Sequence, residues 1–202
     1  MRGARSPILA IALTVASAAS AWGQSGAQPH IQKLPPRGLP TKGLVDHGVY
    51  KNSSIGLEFT PASNLHLEEP ELKGTPGSVP LLITIQAVDD SGLIDRLFSV
   101  RSLTIFYADV LAYYPEEQRN ADRYLRKVVR TNASYGFQRV DGATSAEVNG
   151  ISFARADFAK GGVHETVLVV VHDEYAFVFI FTGPSVEAAN NLIALTKIKL
   201  TD

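Results

Sequence analysis

The chain has 202 residues, with 19 Lys and Arg against 20 Asp and Glu, and it contains no cysteine. The missing thiols exclude disulfides, a thiolate nucleophile, iron–sulfur and Cys-zinc sites, and lipid attachment at cysteine. A formal charge of −1 gives no basic surface for bulk nucleic-acid binding, so no nucleic-acid partner is expected.

The first residues run MRGARSPILAIALTVASAASAWGQ: Arg2 and Arg5, an apolar stretch from about Ile8 to Ala16, then small side chains. Charged, apolar and cleavable segments in that order predict a secretory signal over 1–23, cut after Gly23 or after Ala21. The apolar run is shorter than a membrane span needs, so no transmembrane segment is expected after cleavage. Removing residues 1–23 takes away Arg2 and Arg5 and no acid, which moves the formal charge from −1 to −3. The expected location is secreted or periplasmic.

Residues 24–48, rich in Pro and Gly around Leu34-Pro35-Pro36, read as a flexible tether. A single folded domain is expected over 49–202. It opens with a strand in which Ile55, Leu57 and Phe59 alternate with Gly56 and Glu58, stopped by Pro61. Residues 62–78 read as a loop. In VPLLITIQAVDD both faces are apolar, which predicts a central strand, and VRSLTIFYADV (100–110) is rich in β-formers.

After a turn at Tyr114-Pro115, Ala121, Tyr124, Leu125, Val128 and Val129 form one helical apolar stripe, with Asn120 as N-cap and Gly136 as stop. FQRVDGATSAEV, ISFARADFA, VHETVLVVV and YAFVFIFT then read as four strands. Asn149-Gly150, Gly161-Gly162 and His172-Asp173-Glu174 are short enough to close antiparallel hairpins. SVEAANNLIALTKIKL reads as a final helix capped by Ser185.

Strands, a long helix, a meander and a last helix predict an α+β fold. Phe177, Phe179 and Phe181 on one side and Val178 and Ile180 on the other need cover on both faces. The expected architecture is a three-layer α/β/α sandwich around a mostly antiparallel sheet of six to seven strands.

YKNSSIGLEFTP, with Tyr50, Gly56, Phe59 and Pro61, and the closing segment from Val148 to Leu200 resemble the PsbP-like family, which includes the Ran-binding Mog proteins. The resemblance spans about residues 48–202. It implies an α/β/α sandwich on an antiparallel sheet, and a non-enzymatic binding or assembly module.

Few residue patterns point to chemistry. His30, His47, His66, His164 and His172 show no HxH or HExxH spacing, and His164 and His172 stand about 26 Å apart along one strand. His66 with Glu68, Glu69 and Glu71 offers oxygen ligands to a hard cation but lacks the ladder of a calcium loop, so it reads as a solvated acidic loop. No metal or cofactor is expected. There is no G-x-S-x-G elbow and no glycine-rich phosphate loop between strand and helix. Arg155 and Asp157 share a strand face with Glu147 across a turn, and a cleft joining Glu147, Asp157 or His164 would point to a hydrolase.

The most ordered polar pattern is a row of cations, Arg119, Arg123, Arg126 and Arg130, with Lys127 adjacent, opposite the apolar stripe of the 120–134 helix. Such a row suits an unknown protein or an anionic surface. The expected function is therefore an exported, non-enzymatic binding module that uses these five cations. A competing expectation is a small-molecule or lipid carrier with a pocket between sheet and helices, lined by Phe158, Phe177, Phe179, Phe181, Tyr124 and Tyr135.

Overall fold

The computed structural model describes residues 40–73, 82–89, 103–111, 114 and 116–201. In chain order these form β1 (Leu44–Asp46), β2 (Val49–Asn52), β3 (Leu57–Thr60), β4 (Leu65–Leu67), β5 (Glu71–Lys73), β6 (Leu82–Asp89) and β7 (Leu103–Val110). A 3-10 turn at Glu116–Gln118 leads into α1 (Ala121–Ser134). Then come β8 (Gln138–Val140), β9 (Ser145–Val148), β10 (Ile151–Lys160), β11 (Val163–His172), β12 (Tyr175–Gly183), α2 (Val186–Leu195) and β13 (Lys197–Leu200). The fold is α+β with antiparallel sheets.

Tight hairpins fix the topology. Asp173 and Glu174 have φ of 47° and 67°, and Gly161 and Gly162 have 55° and 82°. Two successive positive φ values are the signature of the type I′ turn, whose twist matches that of the strands it joins. Consequently β11 and β12 pair without a slip from His172↔Tyr175 to His164↔Gly183. His172 belongs to the strand itself, and only Asp173 and Glu174 form the loop. The same pair of positive φ values recurs at Asn149-Gly150, between β9 and β10, and at His47-Gly48, between β1 and β2.

In place of one sheet of six to seven strands, the described residues form two. A four-stranded sheet runs β1-β2-β3-β13, and a nine-stranded one runs β4-β6-β7-β12-β11-β10-β8, with β5 also on β6 and β9 also on β10. The larger count arises because short strands share an edge: β9 pairs Ile151–Ala154 of β10, and β8 pairs Asp157–Ala159. FQRVDGATSAEV is thus two strands, and the expected loop at 62–78 contains β4 and β5. Leu44–Asp46, expected to lie within the tether over 24–48, is instead a strand that pairs with Val49–Lys51. KIKL does not continue the last helix. Thr196 closes α2 by donating its Oγ1 hydroxyl to Leu192 O at 2.8 Å, after which Lys197 and Lys199 face water and Ile198 is buried, the two-residue period of a strand.

Every residue of β12 is buried. Its side chains alternate between two cores. Phe177, Phe179 and Phe181 join Phe59, Phe153, Leu168 and the α2 residues Ala189, Leu192 and Ile193. Ala176, Val178 and Ile180 join Val167, Val169 and the α1 residues Tyr124, Leu125 and Val128. Phe179 lies 5.6 Å from Phe59 and 5.9 Å from Phe153, ring centre to ring centre, which locks the small sheet onto the large one. Each such ring contributes about 1.5–3 kcal/mol through burial.

Candidate functional site

α1 forms where its cap and its stripe coincide. Asn120 Oδ1 accepts the Arg123 backbone N–H at 3.0 Å, satisfying one of the helix's free donors. Burial of Tyr124, Leu125 and Val128 then fixes which side faces the sheet. Arg123, Arg126 and Arg130 are left exposed on the outer side. Among the described residues none of these three guanidinium groups makes a hydrogen bond or ion pair. Arg119, half-buried just before the helix, donates Nε to Tyr114 O at 2.8 Å.

Lys127 departs from the expected row. At 100° per residue it falls on the border between the arginines and the apolar stripe, and there an acid draws it inward. Its Nζ lies 2.7 Å from the Tyr114 hydroxyl and 3.5 Å from Asp109 Oδ2, above the rings of Tyr114 and Tyr124 at 4.4 and 4.9 Å. Burial holds this amine below its ordinary pKa, and Asp109 partly offsets that. Lys127 is therefore a fastener of the helix rather than part of its outer face.

Asp109 itself is fully buried on β7. Its Oδ2 accepts the hydroxyls of both Tyr114 and Tyr124 at 2.6 Å, while Oδ1 has no partner. Sequence reasoning passed over this acid, although a carboxylate inside an apolar strand is itself a signal that partners must be found for it.

A second polar pair lies under the far end of α1. Asn132 Nδ2 donates to Glu165 Oε2 at 3.4 Å, and Asn132 Oδ1 is buried without a donor. Burial pushes the Glu165 carboxyl up to about 7, against a smaller opposing pull from Lys160. A protonated Glu165 could donate to Asn132 Oδ1 while accepting from Nδ2, closing a carboxylic acid–amide pair that satisfies both groups.

The groups considered for hydrolysis are dispersed. Asp157 is held by Arg155 Nε at 3.0 Å, Arg155 Nη2 at 2.9 Å and the Thr166 hydroxyl at 2.6 Å. Arg155 Nη2 also reaches Asn190 Oδ1 at 2.8 Å, which ties β10 to α2. Glu147 is paired with Ser152, and alternation along β10 sets Ser152 and Asp157 on opposite faces of the sheet. His164 and His172 sit at opposite ends of β11, and the unpartnered His164 Nδ1 is buried.

Near the acidic loop, Lys42 Nζ is 2.6 Å from Glu69 Oε1 and holds that carboxyl below the usual range. Among the described residues no three His, Cys, Asp or Glu side chains gather to hold a metal, and no helix is long and apolar enough to cross a membrane. His30 lies outside the described residues. The aromatics expected to line a carrier pocket are mostly closed in the cores: Phe158, Phe177, Phe179, Phe181 and Tyr124 are buried, and Tyr135 is half-buried. An open groove of about 400 Å³ lies elsewhere, between Lys42–Val45 and Leu67–Pro70.

No protein-family model and no characterised protein matches this chain.

Proposed function

We propose that the protein is an exported, non-enzymatic binding or assembly module that presents the outer face of α1 to an anionic partner. We assign its architecture to a three-layer α/β/α sandwich of the PsbP-like type. The packing of α1 and α2 against opposite faces of β11 and β12, with the small sheet beside α2, supports that layering. Export rests on the order of charged, apolar and small residues in 1–23.

The observation that carries the binding role is the exposed, unpaired set Arg123, Arg126 and Arg130. Like charges three and four residues apart destabilise a helix by about 0.2–0.5 kcal/mol per pair, so the row bears a standing repulsion that a counter-charged surface relieves. The non-enzymatic reading draws on Asp157, whose oxygens are taken up by Arg155 and Thr166, and on Glu147, which faces the other way.

The test is the triple variant R123E/R126E/R130E with a photo-crosslinker at the exposed Asp122. Its circular dichroism and thermal midpoint should match the wild type, and the cross-linked partner should disappear. A partner cross-linked equally by both forms would remove α1 as the contact. N-terminal sequencing of the protein recovered outside the cytoplasm should begin at Gln24 or Trp22, and a start at Met1 would count against export by cleavage.

A further inference from the structure

The cations of this fold are unequally served. Lys42 meets Glu69, Lys51 meets Asp46, Lys199 meets Glu58, Arg155 meets Asp157 and Lys127 meets Asp109. Lys160 and Arg119 find the backbone carbonyls of Tyr135 and Tyr114. Among the described side chains, Arg123, Arg126, Arg130, Arg139 and Lys197 have neither a hydrogen bond nor an ion pair. Lys197 stands apart on β13. The four arginines belong together: three follow α1, and Arg139 lies on β8, an edge strand that packs beside α1. Arg139 is cross-strand to Phe158, a member of the core under α1, so it shares the helix's side of the sheet.

What accompanies these guanidinium groups narrows the partner. The exposed positions of α1 are Asp122, Arg123, Arg126, Arg130, Ala133 and Ser134, with no large apolar side chain among them. The exposed large apolar residues Leu44, Val45, Leu72 and Leu195 are on other elements. Interfaces with folded proteins draw most of their energy from desolvated aromatic or aliphatic anchors at the centre, and this face offers none. Guanidinium groups alone are suited to phosphate oxygens, which they grip with paired N–H donors. An array borne on a convex helix is matched by an extended phosphate surface rather than by a single ligand in a cleft.

We propose that the arginine face of α1 docks on the phosphate headgroups of an anionic phospholipid bilayer, lying against them without inserting. The proposal rests on the reading of α1 as the binding face. Each cation close to an anionic membrane contributes about fivefold in affinity, so losing three should weaken binding by about 100-fold. With no apolar anchor to hold the protein once charge is screened, binding should also be abolished by high salt.

The experiment is sedimentation with vesicles of phosphatidylcholine, with and without phosphatidylglycerol, using the chain from Gln24 onward, which keeps every described residue. Wild type should bind only the phosphatidylglycerol vesicles and release in high salt. R123E/R126E/R130E should lose at least about two orders of magnitude in affinity, since it adds repulsion to the loss of three cations, with its thermal midpoint preserved, and R123K/R126K/R130K should retain most of the binding. Equal binding by wild type and the Glu variant, or equal binding to pure phosphatidylcholine, would overturn the proposal. So would binding to soluble inorganic polyphosphate with none to vesicles. If vesicle binding fails while the cross-linked partner is still lost on charge reversal, the bilayer assignment falls and the binding role of α1 stands.

Discussion

Tyr124 donates its hydroxyl to Asp109 Oδ2 at 2.6 Å, joining α1 to β7 through a carboxylate that has no contact with solvent. Hydrogen bonds to charged groups contribute about 1.5–3 kcal/mol, and a buried acid deprived of a donor bears the desolvation cost as well. Tyr124→Phe should therefore lower stability by about 2 kcal/mol in urea denaturation. Asp109→Ala, which strands Lys127 and two phenols, should cost more, about 3–5 kcal/mol. A Tyr124→Phe protein as stable as wild type would mean that this bond does not fasten the helix.

Glu165 makes stability depend on pH in a direction opposite to the usual carboxylate. Its folded pKa, about 7, lies above the ordinary 4.5, so the folded state keeps a proton that the unfolded chain releases. Stability should be highest below pH 4.5 as far as this group is concerned, fall between 4.5 and about 7, and level off above. The total loss is of order 3 kcal/mol. Glu165→Gln, which keeps an amide-compatible donor and cannot ionise, should flatten that slope. Urea midpoints measured across the range for both proteins decide it, and parallel curves would contradict the protonated acid–amide pair.

Glu174 holds φ at 67°, a region where side chains are strained, and its Oε2 is buried without a partner. Glu174→Gly should relieve both and raise stability by up to about 1 kcal/mol, despite the added freedom of the unfolded chain. A lower thermal midpoint in this variant would show that Glu174 makes a contact worth more than the strain.

Gly142 passes so close to Asp157 that an added Cβ would stand 2.6 Å from Oδ2. That carboxylate cannot swing away, because Arg155 and Thr166 hold it. Gly142→Ala should cost about 1–3 kcal/mol through overpacking. A companion variant with Asp157→Ala as well, which removes the crowded oxygen, tests the coupling: simple additivity of the two costs would show that Gly142 and Asp157 do not press on each other.

Local rules made α1 and the hairpins legible. Asn120 and Ser185 were readable as caps because a short polar side chain stood directly before an apolar period. Asn149-Gly150 and Gly161-Gly162 were readable as turns because few residues tolerate two positive φ values in succession. β13 was missed because Ala189, Ile193 and Thr196 carry a helical spacing up to its edge, and four residues are too few to display the two-residue period against it. The arginine row followed from helical angle alone. The inward turn of Lys127 did not, since from the border between the two faces its side chain is drawn to Asp109, a residue brought beside it only by tertiary packing.

The pairing of β13 with β3, extended by Thr201 donating its backbone N–H to Gly56 O at 2.9 Å, has a temporal side. Phe59, against which Phe179 packs, sits on a strand whose second neighbour is made among the last residues in this sequence. Nearly all of the intervening chain must emerge before that strand is enclosed, so the small sheet is a late, high-separation event in folding. Until Lys197–Leu200 arrive, β3 presents an open edge, and shielding that edge from other chains is a task that belongs to the growing polypeptide rather than to the finished molecule.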